Sequence, residues 1–378
     1  MDAQKPVLVI FHGATGREPA ERLVAQARVA VARRTATEAL KAGFGGVLVA
    51  TDAPELFGGL PAGVEIEADA KDSTFGFLER LLSIVETRGL AQPVVMGSGS
   101  LPLLGAAEFS DVAQRLSAMP EGCVTNNFFS SDLTGWTPGA AVTRLRDVPR
   151  DNVLPRRLRD QAGLRATTLA RTTATTFDLD TPADLVVLAL QESLDKTVRE
   201  AMPEFPMPLD RYRAVMRAVC DPNAQVVVAG RVSSSAWQYL ETETASRVRL
   251  LSEERGLATA APGHRARSVL GFLWESVGAE RFFEQLAELG DVAVLDTRVI
   301  EAHVGATPSR EDRFESDLYR WRAIEDPFLR EFTWAAGKSK QPVLLGGHSL
   351  VSGGLMALTD AAWRENDRRI SNLLIPQD

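Results

Sequence analysis

The chain has 378 residues, of which 45% are hydrophobic and 24% charged, and its net charge is -8. At roughly 100–200 residues per domain, this length predicts two globular domains, and the acidic balance disfavours general binding to the phosphate backbone of nucleic acids. The two cysteines, Cys123 and Cys220, exclude a cysteine zinc site by their number and disfavour a disulfide framework.

The beginning of the chain, MDAQKPVLVIFHG, lacks the charged segment and long apolar stretch that are typical of a signal peptide. No apolar run approaches the ~20 residues that span a bilayer. These observations predict a cytoplasmic protein without a membrane partner, and they leave open whether it forms a homo-oligomer.

In the first half of the chain, short apolar runs alternate with longer helical patterns, which is typical of βα units and a mainly parallel sheet. The predicted strands are 7–11, 47–51, 93–96 and 175–178. The predicted helices are 18–41, 75–88, 111–118 and 184–194.

A proline-rich segment follows the last of these helices. Pro203, Pro206 and Pro208 fall within six residues, a spacing that disfavours both helix and sheet. We therefore predict a first domain over 1–200, a linker over 201–208 and a second domain over 209–378.

The second half repeats the alternation of strands and helices and predicts a second α/β domain with a mainly parallel sheet. Its predicted strands are 225–229, 247–251, 292–295 and 342–345. Its predicted helices are 235–244, 267–275, 281–289, 327–336 and 350–365, with a solvated, capped helix start at 309–313.

The most informative segment is TTFDLDTPADL, residues 175–185. At the end of a strand, residues two apart face the same side, so Asp178 and Asp180 point together and offer the oxygen ligands that Mg²⁺ prefers. A second interpretation needs no metal. Thr181 and Asp184 fit a capping box around Pro182, and a solvated strand end explains the two aspartates.

This segment resembles the D-[IV]-D-T-P-x-D-L sequence of the MobA-like nucleotidyltransferases, especially the 2-phospholactate guanylyltransferases. The resemblance covers about residues 5–195. Upstream, VTNN at 124–127 matches the family's T-N-A-L segment, GSGSLPLL at 97–104 its G-D-L-P-L segment, and 47–52 its second strand.

The resemblance implies a GT-A-like α/β sandwich with a mixed sheet that binds a nucleoside triphosphate over the first βα loop. Mg²⁺ would bridge the phosphates to Asp178 and Asp180, which would act in catalysis, and Asn126 would lie near the base or acceptor. The loop 12–17 would cover the phosphates, with Gly13 and Gly16 admitting backbone N–H groups and Arg17 supplying positive charge and acting in catalysis with the two aspartates. The predicted nucleotide-binding residues are Gly13, Thr15, Gly16, Arg17, Ser100 and Asn126.

One departure from the family bears on activity. Ser100 stands where the family has a metal-binding aspartate, which removes an anionic ligand, and Asp132 is the candidate replacement. Three hypotheses follow. The chain transfers NMP from an NTP to a phosphorylated or hydroxylated acceptor with Mg²⁺, or it is an inactive nucleotide- or metabolite-binding protein whose main ligand site is in the second domain. In the third hypothesis, the second domain carries out enzyme chemistry and the first is its scaffold.

Polar residues follow the four predicted strands of the second domain, and ligands of open parallel sheets bind beyond these strand ends. They predict a site for a small anionic metabolite, although helix caps and surface ion pairs also explain them one by one. A serine-hydrolase interpretation is disfavoured, because no histidine follows Ser349. The candidate ligand residues are Arg231, Ser233, Glu254, Asp296, Arg298, His348 and Ser349.

Overall fold

A computed structural model describes residues 1–13, 16–69, 76–257 and 265–374. The chain forms two compact units. The first consists of Met1–Thr15, Ala25–Asp178 and Asp195–Met202, and the second of Gly16–Val24, Leu179–Leu194 and Pro203–Asp378. Two short segments from the first two hundred residues thus group with the second unit.

The strands of the first unit are β1 Pro6–His12, β2 Gly46–Thr51, β3 Val64–Ala68, β4 Gln92–Gly97, β5 Gly122–Thr125, β6 Leu133–Thr137 and β7 Ala166–Thr168. Those of the second are β8 Gln225–Gly230, β9 Arg247–Ser252, β10 Val292–Asp296 and β11 Val343–Gly346.

The helices, in chain order, are α1 Pro19–Lys41, α2 Phe77–Arg88, α3 Ala106–Ala118, α4 Leu154–Asp160, α5 Pro182–Ala189, α6 Lys196–Ala201, α7 Leu209–Val219, α8 Ser234–Glu243, α9 Val269–Val277, α10 Ala279–Leu289, α11 Thr297–Val304, α12 Arg310–Asp317, α13 Pro327–Lys338 and α14 Leu355–Leu374. Residues 203–208 carry neither helix nor strand. In the described parts of the chain, no helix is long and apolar enough to cross a membrane.

The first unit contains a seven-stranded sheet in the order β3-β2-β1-β4-β6-β5-β7. Only β6 runs against its neighbours, β4 and β5, among the strand pairs of the described residues. In β1, Val7 and Val9 pack on one face of the sheet, whereas Leu8 and Ile10 pack on the other. Both faces are therefore covered, which explains why this strand reads as a continuous apolar run.

The second unit contains a four-stranded parallel sheet in the order β11-β10-β8-β9. Its core joins apolar strand residues to an aromatic cluster from three helices. Trp274 of α9, Phe282 and Phe283 of α10 and Phe332 of α13 form this cluster, with ring centroids 5.0–5.9 Å apart. The mainly parallel second sheet and the mixed first sheet confirm the predicted fold class.

One predicted strand is wrong. Residues 175–178 form a turn followed by irregular extended chain, because threonine side chains compete for the backbone. The Thr175 hydroxyl donates to the Ala170 carbonyl at 2.7 Å, and the Thr175 N–H donates to the Thr172 carbonyl at 3.2 Å. Phe177 and Leu179 are nonetheless fully buried between the more exposed Asp178 and Asp180.

Several helix boundaries differ from prediction. The helix α3 begins five residues early, at Ala106, and α14 begins at Leu355 and runs to Leu374 instead of spanning 350–365. The predicted helix 184–194 ends five residues early, at Ala189, and begins at Pro182. The start at 309–313 is capped by Ser309, and Ser309 and Arg310 are exposed, as predicted, whereas Asp312 and, farther along α12, Glu315 and Asp317 are buried. The first residue of the predicted helix 75–88 lies outside the described residues.

Candidate functional sites

The first unit has a topological switch point between β1 and β4. The chain proceeds from β1 outward to β2 and β3, then returns to place β4 on the other side of β1. Ligands of open α/β sheets bind beyond the carboxyl ends of strands at such a point. Here the Nδ1 atom of His12, which ends β1, lies 2.9 Å from the Oγ atom of Ser98, which follows β4.

His12 is an uncharged group at this position. Its ring is 4% exposed, and Nε2 has no hydrogen-bond partner in the described part of the chain. The pKa of His12 is lowered to about 4, chiefly by burial and also by the charge of Arg28, against the opposing effect of Asp52. At neutral pH the uncharged ring can therefore donate a hydrogen bond to a ligand or accept one from it, and it contributes no positive charge.

The loop after β4 holds Ser100 in a tight turn. The Ser100 N–H donates to the Gly97 carbonyl at 3.1 Å, and Leu101 has a φ of 48°, which is uncommon for a residue with a Cβ. Ser100 is 8% exposed. The Ser100 hydroxyl is 3.0 Å from the position that a Cβ on Gly97 would occupy, so it lies close to the Gly97 backbone.

Asn126 has a structural role at the end of β5. Its amide nitrogen donates to Asp132 Oδ2 at 2.9 Å and to the Thr175 carbonyl at 3.1 Å. Its amide oxygen accepts from the N–H groups of Asp132 and Leu133 at 2.9 and 3.0 Å. These four bonds use the full capacity of a carboxamide, so Asn126 fixes the 126–133 loop and orients Asp132.

The two aspartates of the DLD sequence fall on either side of a unit boundary. Asp178 is the last residue of its segment in the first unit, whereas Asp180 belongs to the second. The Asp180 N–H donates to Asp184 Oδ2 at 3.1 Å. Within the residues that the structure describes, no group of three or more His, Cys, Asp and Glu side chains could hold a metal ion.

The predicted phosphate loop is described only in part. Gly13 is exposed, and Thr15 lies outside the described residues. Gly16 has a φ of 124°, and a Cβ there would lie 3.0 Å from the backbone of Glu21. The exposed Arg17 donates its N–H to Glu21 Oε2 at 3.1 Å, which ties its backbone to the first turn of α1.

The second unit also has a switch point, between β8 and β10. A buried ion pair spans it. Arg231, which follows β8, donates from Nε and Nη2 to the two carboxylate oxygens of Asp296 at 2.6 and 3.0 Å. The strands approach closely because Gly230 has no side chain, and a Cβ there would lie 2.3 Å from the Asp296 Cβ.

A second buried pair lies next to the first. Arg298 donates from Nη1 and Nη2 to the carboxylate of Asp317 at 3.0 and 3.1 Å, and from Nη1 to the Gly346 carbonyl at 3.1 Å. Burial raises the pKa of Asp317 to about 6, although Arg298 opposes the shift. The structure thus brings Arg231, Asp296, Arg298 and the loop after β11 together.

Sequence reasoning missed Asp317 and its neighbour Glu301. Both are buried, and Glu301 Oε2 accepts from Arg313 Nε at 2.8 Å while Oε1 accepts from the Thr297 hydroxyl at 3.1 Å. For Asp317 the available signal was α12 itself, REDRFESD, which is rich in charge and lacks an apolar stripe. A helix of this composition is stable in a buried place only when its carboxylates are paired.

The end of the DLDTPAD segment packs within the second unit. The capping box is present, as predicted, with Asp184 Oδ2 accepting from the Thr181 N–H at 2.9 Å and the Thr181 hydroxyl at 3.0 Å. Asp184 is fully buried, and Oδ1 has no hydrogen-bond partner in the described chain. Burial, assisted by the charge of Asp180, raises the pKa of Asp184 to about 7.

The loop after β11 leads into a distorted helix. Leu350–Gly354 is a π-helical segment with a kink at Ser352, whose hydroxyl donates to the His348 carbonyl at 2.7 Å. Such segments are frequent at functional sites. Ser349 is buried, whereas His348 is exposed. The pKa of the His348 ring is lowered, chiefly by desolvation and to a smaller extent by the charge of Arg231.

Two other candidate residues have structural contacts. Ser233 caps α8, because its hydroxyl accepts from the Ala236 N–H at 3.0 Å, in agreement with the capping interpretation. Glu254 has a φ of 49° and accepts from the Arg267 N–H at 3.1 Å. Both side chains therefore accept hydrogen bonds from nearby backbone N–H groups and stabilise the local backbone.

No protein-family model and no curated protein matches the chain. Solved structures that it resembles include a protein of Desulfovibrio desulfuricans G20, provisionally named a nucleotide-diphospho-sugar transferase, at 14% identity and TM-score 0.40, covering 57% of this chain and 97% of that one. A cytidylyltransferase of Leptospira borgpetersenii has 14% identity and TM-score 0.40, covering 52% and 90%. A nucleotidyl transferase of Methanothermobacter thermautotroptrophicus has 15% identity and TM-score 0.37, covering 48% and 94%.

Proposed function

We propose that the first unit binds a nucleoside triphosphate at the switch point between β1 and β4 and, with Mg²⁺, transfers the nucleotidyl group to a phosphorylated or hydroxylated small molecule. The observation that carries this proposal is the His12–Ser98 contact at the carboxyl ends of these two strands. This contact supports the proposal because it brings a neutral ring and a hydroxyl together at the carboxyl ends of two strands, where ligands of open α/β sheets bind.

The sequence also supports nucleotide chemistry. The FDLDTPADL segment resembles the nucleotidyltransferases, and it carries Asp178, a carboxylate of the first unit that is only partly buried. Mg²⁺ commonly needs only one or two protein carboxylates, because the substrate phosphates and water supply its other ligands. We propose Asp178 and Asp132 of this unit as carboxylates that would hold the metal.

In the proposed reaction, an oxygen of the acceptor attacks the α-phosphorus of the triphosphate. The bond between this phosphorus and the bridging oxygen breaks, and pyrophosphate leaves. Bound Mg²⁺ would neutralise charge on the phosphates. The residues of the chain would hold the two reactants in line, with His12 and Ser98 contacting the ligand and Asn126 keeping Asp132 in place.

Thermal stability with ATP, GTP, CTP and UTP, each with and without Mg²⁺, tests the proposal. A bound nucleotide raises the unfolding temperature by mass action. We expect one base to give the largest shift, and we expect Ser98→Ala and Asp178→Asn to reduce it. Ser117→Ala, at an exposed position of α3, is the matched control. Absence of a shift with all four nucleotides would overturn the proposal.

The alternative is a nucleotide-binding protein without turnover. Ser100 favours this alternative, since its hydroxyl stands where the family that the sequence resembles has a metal-binding carboxylate. Pyrophosphate release distinguishes the two functions: a nucleotide that stabilises the chain but gives no Mg²⁺-dependent pyrophosphate with any phosphorylated or hydroxylated acceptor supports binding alone.

A further inference from the structure

The second unit has unused hydrogen-bond donors at the switch point between β8 and β10. Arg231 uses Nε and Nη2 for Asp296, and Nη1 has no partner in the described chain. Its side chain is 17% exposed. The bidentate contact therefore fixes a guanidinium group whose remaining edge is available to a ligand.

The backbone adds two more donors. The ladder between β10 and β11 ends at Gly346, and the N–H groups of Gly347 and His348 have no acceptor in the described residues. Gly347 is buried. The fold therefore leaves a buried backbone donor at this position, to which a ligand oxygen could bind.

Charged groups lie around His348. The positive charges of Arg231 and Arg255 and the negative charges of Asp296 and Asp180 all act on its ring. Asp296 is paired with Arg231, whereas the exposed Arg255 makes no ion pair within the described chain. The unpaired donors indicate the kind of acceptor, because a phosphate offers several anionic oxygens to Arg231 Nη1 and to the two backbone N–H groups, and the carboxylate of Asp180 can accept a hydrogen bond from a hydroxyl group.

We propose that this crevice binds a phosphorylated sugar or polyol. Arg231 Nη1, Arg255 and the N–H groups of Gly347 and His348 bind the phosphate, and Asp180 binds a hydroxyl of the same molecule. The site lies in the second unit and does not depend on nucleotide binding by the first.

Histidine NMR offers a local test. The chain has four histidines, so the Cε1–H signal of His348 is assigned by its loss in His348→Gln. Inorganic phosphate, added at constant ionic strength, should shift this signal saturably and leave that of the buried His303 unchanged. A stationary His348 signal would overturn the proposal, whatever nucleotides do.

Variants locate the binding groups. Arg255→Gln should weaken phosphate binding about tenfold, the equivalent of one charge-assisted hydrogen bond. Arg281→Gln removes an exposed arginine of α10 and should leave binding unchanged. Equal affinities of these two variants would contradict the phosphate contact.

A second probe tests the hydroxyl contact. Glucose 6-phosphate should bind more tightly than inorganic phosphate, and Asp180→Asn should remove this difference while phosphate still binds. Equal affinity of both probes for the unchanged protein would refute the assignment of a sugar or polyol.

Discussion

Replacing Asp184 by asparagine tests the electrostatics of the second unit. The carboxyl is fully buried and its pKa rises from 3.8 to about 7, which corresponds to about 4 kcal/mol of ionisation cost in the folded state. Because the folded-state pKa lies above that of the unfolded chain, the folded protein binds this proton more tightly. Its stability therefore falls as the pH rises from about 4 to above 7.

Asp184→Asn removes this cost while keeping an amide oxygen for the donors that Asp184 Oδ2 serves, the N–H groups of Asp180 and Thr181 and the Thr181 hydroxyl. At pH 5 the folded aspartate is protonated but the unfolded one is already ionised, so the variant should be more stable than the unchanged protein by only about 2 kcal/mol. At pH 8 the variant should be more stable, by up to about 4 kcal/mol.

Urea unfolding followed by tryptophan fluorescence provides the assay. The second unit contains all the tryptophans but Trp136, so the signal reports mainly on that unit; they are Trp237, Trp274, Trp321, Trp334 and Trp363. Asp221→Asn, at an exposed turn, controls for the loss of a charge. A stability difference between Asp184→Asn and the unchanged protein that is the same at pH 5 and pH 8 would refute the reasoning.

Three further outcomes are expected. Arg298→Met should destabilise the second unit by about 3–5 kcal/mol, because it leaves Asp317 buried and unpaired. Adding Asp317→Leu should restore most of this loss in the same urea assay, and no recovery in the double variant would contradict the prediction. Gly230→Ala should lower the unfolding temperature more than Gly305→Ala, since both glycines have positive φ but only the first lacks room for a Cβ; equal losses would argue against close strand approach. The NMR signal of His12 should titrate near pH 4, and a midpoint near the ordinary 6.5 would show that the ring is not buried.

The sequence predicted the strands that are continuous apolar runs. These are β1, β2, β4, β8, β10 and β11, and each was placed within one residue of its observed ends. The strands β3, β5, β6 and β7 were missed, since Glu, Gly or Thr interrupts their apolar residues. Such short segments gain their stability from pairing partners that are distant in sequence.

The sequence predicted which residues lie at the candidate sites but not which residues they pair with. Residues beyond strand ends, such as Arg231 and Asp296, could be identified because parallel strands end at one edge. The partners of these residues could not be identified, because Asp317 lies 19 residues beyond Arg298 in a helix without an apolar stripe. In the same way, the pattern around Asn126 suggested ligand contact, whereas its four hydrogen bonds depend on a loop conformation that the sequence does not encode locally.

The interleaving of the two units has a consequence for biosynthesis. The N–H groups of Ala20 and Glu21, in the first turn of α1, donate to the carboxylate of Glu311, which is 291 and 290 residues later in the chain. At ribosomal speeds of about 5–20 residues per second, that partner emerges about 15–60 s after α1. The first turn of α1 therefore remains uncapped by Glu311 through most of translation, and a fragment that begins at Pro203 would lack both early segments of the second unit.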